Sequence, residues 1–322
     1  MEDETYQPSE MAELDLTSLS EEKLPPGHKS GLVAVAGRPN VGKSTLLNQI
    51  MRQKIAIVSP RPQTTRTNQL AILTKPDFQI IFVDTPGLIR PRHKLDEYMV
   101  GSAQEMVHDA DIVLWLVDAS TVPGAGDQAI ADTLSQLPEE AKVILAMNKS
   151  DLLEAGNVIE RTGAYSALLP SAEWLLISAL EGAGVDALVD LLVSSLPEGP
   201  RYYPADQTTD TFMRDLAAEF VREQIYLQMR EEIPYGTAVM VSEFKERENG
   251  VIFIQADIYV ERDSHKKMII GSKGSQLRKI GAEARKEIER LLGTRVYLEL
   301  WVRVERDWRK SDSALKRFGY QQ

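Results

Sequence analysis

Five short apolar runs punctuate the first two-thirds of the chain: GLVAVAG (Gly31–Gly37), QIIFVD (Gln79–Asp84), DIVLWLVD (Asp111–Asp118), KVILAMN (Lys142–Asn148) and WLLIS (Trp174–Ser178). Each has strand length and stops at a glycine or a polar residue, which predicts buried strands. Between them KSTLLNQIMR, EYMVGSAQEMVHD, DQAIADTLSQL and VDALVDLLVSSL read as helices. Near-continuous apolar strands alternating with helices predict an α/β domain over 30–198, a mostly parallel sheet with helices on both faces.

The alternation breaks at LPEGPRYYPADQT (196–208), with three prolines and two tyrosines, and the linker is placed at 199–210. A different order follows. A long helix is predicted from about Thr211 to Glu231, then strands GTAVMVSEFKER and GVIFIQADIYV around Asn249–Gly250, a good hairpin signal. GSKG then opens a helix running through Leu292, followed by a strand VYLELWVRV and a short basic helical end. This predicts an α+β module over 211–322. Residues 1–29, polar, acidic and interrupted by Pro8, Pro25 and Pro26, read as a disordered tail.

Composition adds exclusions. With no cysteine in 322 residues, neither a disulfide nor a thiolate zinc site can form, which suits a reducing cytoplasm. No basic segment leads into an apolar signal core, and no run reaches about 18 apolar residues. The expectation is a soluble, cytoplasmic protein. A net charge of −11 argues against a nucleic-acid partner until its distribution is read. Residues 1–25 hold eight acids against one lysine, whereas 262–322 hold sixteen Lys/Arg against eight Asp/Glu, a local +8. A basic end on an acidic chain is electrostatically asymmetric, though taken alone such a charge-rich segment reads as a solvated surface.

The first apolar run leads into GRPNVGKS, which fits G-x-x-x-x-G-K-S/T from Gly37 through Arg38, Pro39, Asn40, Val41, Gly42 and Lys43 to Ser44. Backbone N–H groups of such a loop converge on phosphate, aided by the positive end of the following helix. Lys43 reaches the β- and γ-phosphates, the Ser44 hydroxyl ligates Mg²⁺, and Thr45 completes the loop. NKSD (Asn148, Lys149, Ser150, Asp151) resembles the guanine-specificity motif. Its Asp151 carboxylate matches the guanine N1–H and exocyclic amine, which adenine lacks, and a buried carboxylate left unmatched is costly. SAL (Ser178, Ala179, Leu180) resembles the loop that contacts the guanine oxygen.

DTPGL (Asp84, Thr85, Pro86, Gly87, Leu88) resembles switch II, with Asp84 on Mg²⁺ through water and the Gly87 N–H on the γ-phosphate. RPQTTRTN (61–68) resembles switch I; either Thr64 or Thr65 can supply the second hydroxyl ligand, and Thr65, next to Arg66, is favoured. Lys43, Thr65 and Gly87 are therefore the expected catalytic groups. Leu88 stands where Ras-like proteins carry a water-orienting glutamine, so unassisted turnover should be slow. Asn40 resembles the asparagine that coordinates K⁺ in some relatives, or else stabilises its turn.

In the rear module Gly271, Ser272, Lys273 and Gly274 form a G-x-x-G loop, preceded by Lys266 and Lys267 and followed by Arg278 and Lys279. In a KH fold such a loop clamps single-stranded nucleic acid, its glycines allowing close approach and its lysine answering phosphate. GRPNVGKS, QTTR, DTPGL, NKSD and SAL, with VERDSHKKMIIGSKGSQLRKIG behind them, resemble the Era family of bacterial GTPases over about residues 31–317. That resemblance implies a type II KH domain, binding of 16S ribosomal RNA near its 3′ end, and assistance to small-subunit assembly. It also implies RNA binding promoted by GTP and peripheral contact with the cytoplasmic membrane. The expected state is a monomer. Two alternatives are a membrane-signalling GTPase whose basic module reads anionic lipid, and a GTPase coupled to RNA modification. The rear module lacks a cysteine nucleophile, metal cluster or cofactor fingerprint for the latter. His28, His93, His108 and His265 show no ligand spacing.

Overall fold

The apolar runs become the centre of one sheet in a computed structural model describing residues 24–59, 61, 64–85, 94–138, 141–247 and 249–320. Its strands are β1 (Lys29–Ala36), β2 (Gln69–Thr74), β3 (Phe78–Asp84), β4 (Ile112–Asp118), β5 (Lys142–Asn148) and β6 (Glu173–Leu176). They lie in the order β2-β3-β1-β4-β5-β6. All pairings are parallel except β2 with β3. Around them run α1 (Lys43–Met51), α2 (Lys94–Asp109), α3 (Ala125–Leu134), α4 (Val158–Ser166) and α5 (Val185–Ser195).

Alternate residues of one strand enter two cores. Val33 and Val35 pack with Leu46, Leu47, Leu188 and Leu192 of α1 and α5, whereas Ala34 and Ala36 face Ile130 of α3 and Tyr165 of α4. Burial on both faces is why these strands read as unbroken apolar runs. Two elements escaped the pattern. The edge strand β2 directly follows the polar switch-like stretch, and α4 buries only Thr162 and Tyr165, too few to set a helical period.

The tail as drawn runs too far. Lys29 is the first residue of β1, and buried His28 places Nδ1 2.8 Å from the Gly199 carbonyl oxygen. Residues 1–23, where disorder is expected, lie outside the described residues. Nor does 199–210 cross between domains freely. Gln79 donates to the Tyr203 carbonyl at 2.8 Å and accepts from the backbone N–H groups of Tyr202 and Tyr203, while Ile72 N–H donates to Thr208 O at 2.9 Å.

The second domain holds α6 (Met213–Gln228), β7 (Thr237–Glu246), β8 (Ile252–Val260), α7 (Asp263–Ile270), α8 (Ser275–Leu292), β9 (Val296–Val304) and α9 (Asp312–Arg317). β7 and β8 are antiparallel, β8 and β9 parallel. Val221 and Ile225 of α6 and Ile280 and Ala284 of α8 cover the sheet residues Ile258 and Val260. One expectation needs correcting: GSKG does not simply open a helix but joins two. The eight-residue α7 buries only His265 and Ile269, so no helical stripe betrays it. The domains meet where Leu95 and Met99 of α2 pack with Trp308, Leu315 and Tyr320, and where Lys54 pairs with Glu223 at 2.6 Å. Among the described residues no helix is long and apolar enough to cross a membrane.

Candidate nucleotide site and nucleic-acid interface

Parallel strands bring their C-terminal ends to one edge, where open α/β sheets bind ligands. There β1 delivers the Gly37–Ser44 loop. Gly42 sits at φ 106°, and a Cβ there would fall 2.3 Å from Asn148 Nδ2, so only glycine fits. Asn148 donates from Nδ2 to Val41 O at 2.7 Å and accepts at Oδ1 from the Ala179 N–H at 2.8 Å. One buried amide thereby ties the phosphate loop to the SAL loop. Lys43 Nζ donates to the carbonyls of Gly37 and Arg38, each at 3.2 Å. Burial pushes its ammonium pKa down, against the pull of Asp84. Pro39, Asn40, Gly42, Ser44 and Thr45 line the cleft, with Ile57, Val58 and Ser59 opposite. Asn40 is exposed at φ 65°, a left-handed turn position that asparagine tolerates. The Arg38 Nε donates to buried Asp127 of α3 at 2.7 Å, and its backbone carbonyl accepts from Lys43 within the loop.

Three oxygen groups converge beside Lys43. Asp84 Oδ2 accepts from Ser44 Oγ at 2.7 Å and from Thr65 Oγ1 at 3.0 Å, and the two hydroxyl oxygens are 3.1 Å apart. Asp84 Oδ1 is buried without a hydrogen-bond partner among the described residues. Burial pushes this carboxyl up, opposed by Lys43 and the two hydroxyls. A hard-oxygen set with an orphaned buried carboxylate oxygen fits Mg²⁺. Thr64 instead donates its hydroxyl to Arg61 O at 2.9 Å, so Thr65 is the threonine at the cluster. The Thr85 hydroxyl donates to Val35 O at 2.8 Å, a tie to β1. Pro86, Gly87 and Leu88 lie outside the described residues, so the expected Gly87 N–H contact and the Leu88 departure have no geometry here.

At the base end Lys149 Nζ pairs with Asp118 Oδ2 at 2.6 Å. Burial alone would raise the Asp118 pKa, but bonds from Lys149 and Ser120 outweigh it and hold the carboxyl below its usual range. Ser178 Oγ donates to Asp151 Oδ1 at 2.5 Å, and the Ser150 N–H donates to Ile177 O at 3.0 Å. Asp151 and Leu180 are exposed. Contrary to the expectation of a buried carboxylate, the protein leaves Asp151 exposed, and a bound base would have to supply the desolvation.

In the second domain Gly271, Lys273 and Gly274 take φ values of 70°, 48° and 76°, a left-handed turn between α7 and α8. A Cβ on Gly271 would meet Gln276 Cβ at 2.7 Å. Ser272, Lys267, Lys273, Arg278 and Lys279 are exposed, and Lys266 is half-buried. From this turn a groove of about 460 Å³ runs between α8 and β9, lined by Leu277, Arg278, Gly281, Arg285, Tyr297 and Leu300. Arg247 lies over the ring of Phe253 at 4.5 Å and over that of Tyr297 at 5.3 Å.

Two family models match, one described as 50S ribosome-binding GTPase over residues 32–149 and one as KH domain over 232–309. GTPase Era of Halothermothrix orenii is 47% identical over 293 residues, covering 91% of this chain and 99% of that protein. The chain belongs to the Era family of GTPases. GTPase Era of Geobacter metallireducens is 50% identical, over 91% of this chain and 98% of that protein. Among solved structures, Era in complex with MgGDPNP and nucleotides 1506–1542 of 16S ribosomal RNA superposes with TM-score 0.87 and 40% identity. It covers 92% of this chain and 100% of that one. A variant of Aquifex aeolicus Era bound to GDP and AlF4⁻ gives the same TM-score and identity over 91% of this chain and 100% of that chain. Both halves of the sequence reading, a P-loop GTPase domain followed by a KH domain, hold at family level.

Era-family motifs led to the loops but not to their partners. No motif marks Asp118 as the anchor of Lys149, although Asp118 ends β4 in register with Asn148, the last residue of β5 and the neighbour of Lys149. Asp127, Ile57, Arg285 and Tyr297 carry no motif; only strand alternation along VYLELWVRV hinted at Tyr297.

Proposed function

We propose that this chain is a GTP-driven switch that binds 16S ribosomal RNA near its 3′ end and assists assembly of the small ribosomal subunit. The observation that carries the nucleotide half is the convergence of Ser44, Thr65 and Asp84 beside Lys43. In this reading Lys43 answers the β- and γ-phosphate charge, and Ser44 and Thr65 hold Mg²⁺, with Asp84 acting through water. Held by Ser44 and Thr65, Mg²⁺ would supply positive charge to offset the negative charge that develops on transfer. The Gly87 N–H contacts the γ-phosphate. Asp151 pairs with the guanine edge, and the backbone of Ser178, Ala179 and Leu180 approaches the guanine oxygen. With Leu88 in place of a glutamine, no side chain there orients water, so turnover without a partner is slow. Asn40 is proposed to hold K⁺ near the phosphates; equal hydrolysis rates in K⁺ and Na⁺ buffers would remove that assignment.

The domain plan follows: a tail, the GTPase domain to residue 198, a linker over 199–210 and the KH domain from 211. Single-stranded RNA enters the groove between α8 and β9, its backbone clamped at Gly271–Gly274 with Lys266, Lys267, Lys273, Arg278 and Lys279 answering phosphates. Similarity to an Era solved with 16S ribosomal RNA supports this partner. The protein works as a cytoplasmic monomer with peripheral contact at the cytoplasmic face of the membrane. The test is binding of a single-stranded 16S 3′-end RNA with a GTP analogue or with GDP bound. Tighter binding in the GTP-analogue state is expected, and equal binding sinks the switch. Asp151→Asn should turn nucleotide preference toward xanthine; unchanged GTP preference contradicts the base assignment.

A further inference from the structure

Arg66 follows Thr65 directly, yet its side chain leaves the GTPase domain. It is buried in a socket, and its hydrogen-bond partners among the described residues belong to the second domain. Nη1 donates to Thr237 O at 2.7 Å, and Nη2 donates to the Tyr226 hydroxyl at 3.0 Å and Tyr235 O at 2.9 Å. The guanidinium carbon lies 5.8 Å from the ring centres of both Tyr226 and Trp308. On the other side of Thr65, Arg222 of α6, itself buried and paired with Glu219, donates to the Thr64 carbonyl. The next residue of α6, Glu223, accepts the Val58 N–H at 2.9 Å. The segment bearing the metal-facing hydroxyl is thus pinned on both sides of Thr65, at Val58 and Thr64 before it and Arg66 after it, by residues 160 or so positions away in sequence.

We infer that Arg66 and Arg222 are positioning residues for GTP hydrolysis, through which the KH domain sets Thr65 at the Mg²⁺ site. The inference rests on the proposed role of Thr65. Neither arginine reaches the Ser44–Asp84 cluster, so each acts through the backbone on either side of Thr65. A fork of donors caught by several carbonyls and hydroxyls within an aromatic box fixes one orientation of the chain, which a flexible ammonium would not. Positioning within about 0.5 Å is what a metal ligand needs. The contact matters most in the GTP state, where Thr65 engages metal and γ-phosphate together; GDP lacks the second partner. The consequence is directional: disturbing the socket should loosen Thr65 while leaving the phosphate loop, Asn148 and Asp151 in place.

The experiment compares full-length wild type, Arg66→Lys, Arg66→Met and Arg222→Lys for single-turnover GTP hydrolysis, Mg²⁺ half-saturation with a GTP analogue, and GDP affinity. Expected for Arg66→Met are a hydrolysis rate at least 10-fold lower and a raised Mg²⁺ requirement, with GDP affinity held within twofold. Arg66→Lys should recover part of the rate. Arg222→Lys, which keeps the charge beside Glu219, should lower the rate several-fold and serves if Arg66→Met fails to fold. Wild-type rates and Mg²⁺ dependence in the folded variants would overturn the inference. So would equal losses of GDP and GTP binding, which would mark a merely structural role. If wild type itself hydrolyses no GTP, the proposed function fails instead, and the two failures are distinct.

Discussion

Asn148→Ala should cripple nucleotide binding through the protein rather than through the ligand. The side chain donates to Val41 O and accepts from Ala179 N–H inside the fold, and the residue is 2% exposed. Removing it strands a carbonyl and an N–H that water cannot easily reach. Each such group costs about 1–3 kcal/mol, so a loss of about 3–4 kcal/mol is the central expectation. For a domain of this size, that corresponds to a melting temperature lower by about 6–16 °C. The loops it joins carry the phosphate contact and the proposed base contact, so a fluorescent GDP analogue should bind at least tenfold more weakly. Asn148→Asp keeps the acceptor for Ala179 but sets an oxygen against Val41 O, and should weaken nucleotide binding no less. Calorimetric unfolding with and without GDP reads both effects. A change in stability below about 0.5 kcal/mol, with GDP affinity within twofold, would refute the reasoning, since buried backbone groups would then be finding other partners.

Four further outcomes follow from other parts of the molecule. Asp118 titrates below its unfolded value, so the stability it adds is present above the usual Asp pKa of about 3.9 and is lost as pH falls through its lower folded value. Urea unfolding of Asp118→Asn between pH 3 and 6 should show a shallower acid slope than wild type; identical slopes would contradict the Lys149 pairing as its cause. Gly271→Asp forces a charged side chain against Gln276 at φ 70° and should abolish single-stranded RNA binding without changing GDP affinity. Lys273→Ala should reduce the salt slope of RNA binding by about 0.7, one phosphate contact on a single strand. Trp308→Ala removes a fully buried indole whose Nε1 donates to Gly236 O at 3.0 Å; urea melts of the second domain should lose about 3–5 kcal/mol, and a loss under 1 would mean the site refills.

The parts of this protein that its sequence discloses are those encoded over a few neighbouring positions. A strand buried on both faces writes itself as a run such as IVLWLVD, and a phosphate loop must place its glycines, Lys43 and Ser44 at fixed spacing because backbone N–H groups have to converge. Short elements fade because they bury too little to set a period: α7 hides two residues and β2 sits at an edge. Long-range polar partners fade for a different reason. Nothing near Arg38 in sequence marks Asp127 as its partner, and Arg66 is noted only as the neighbour of Thr65. Nothing within ten residues of Arg66 announces that Tyr226, Thr237 and Trp308 will enclose it, since burial of a guanidinium depends on acceptors that only the folded pair of domains assembles. A buried charge needs its partners supplied in advance. The Arg66 side chain can therefore occupy that socket only when the KH domain is docked on the switch segment, and loosening the socket should be felt first at the neighbouring hydroxyl of Thr65.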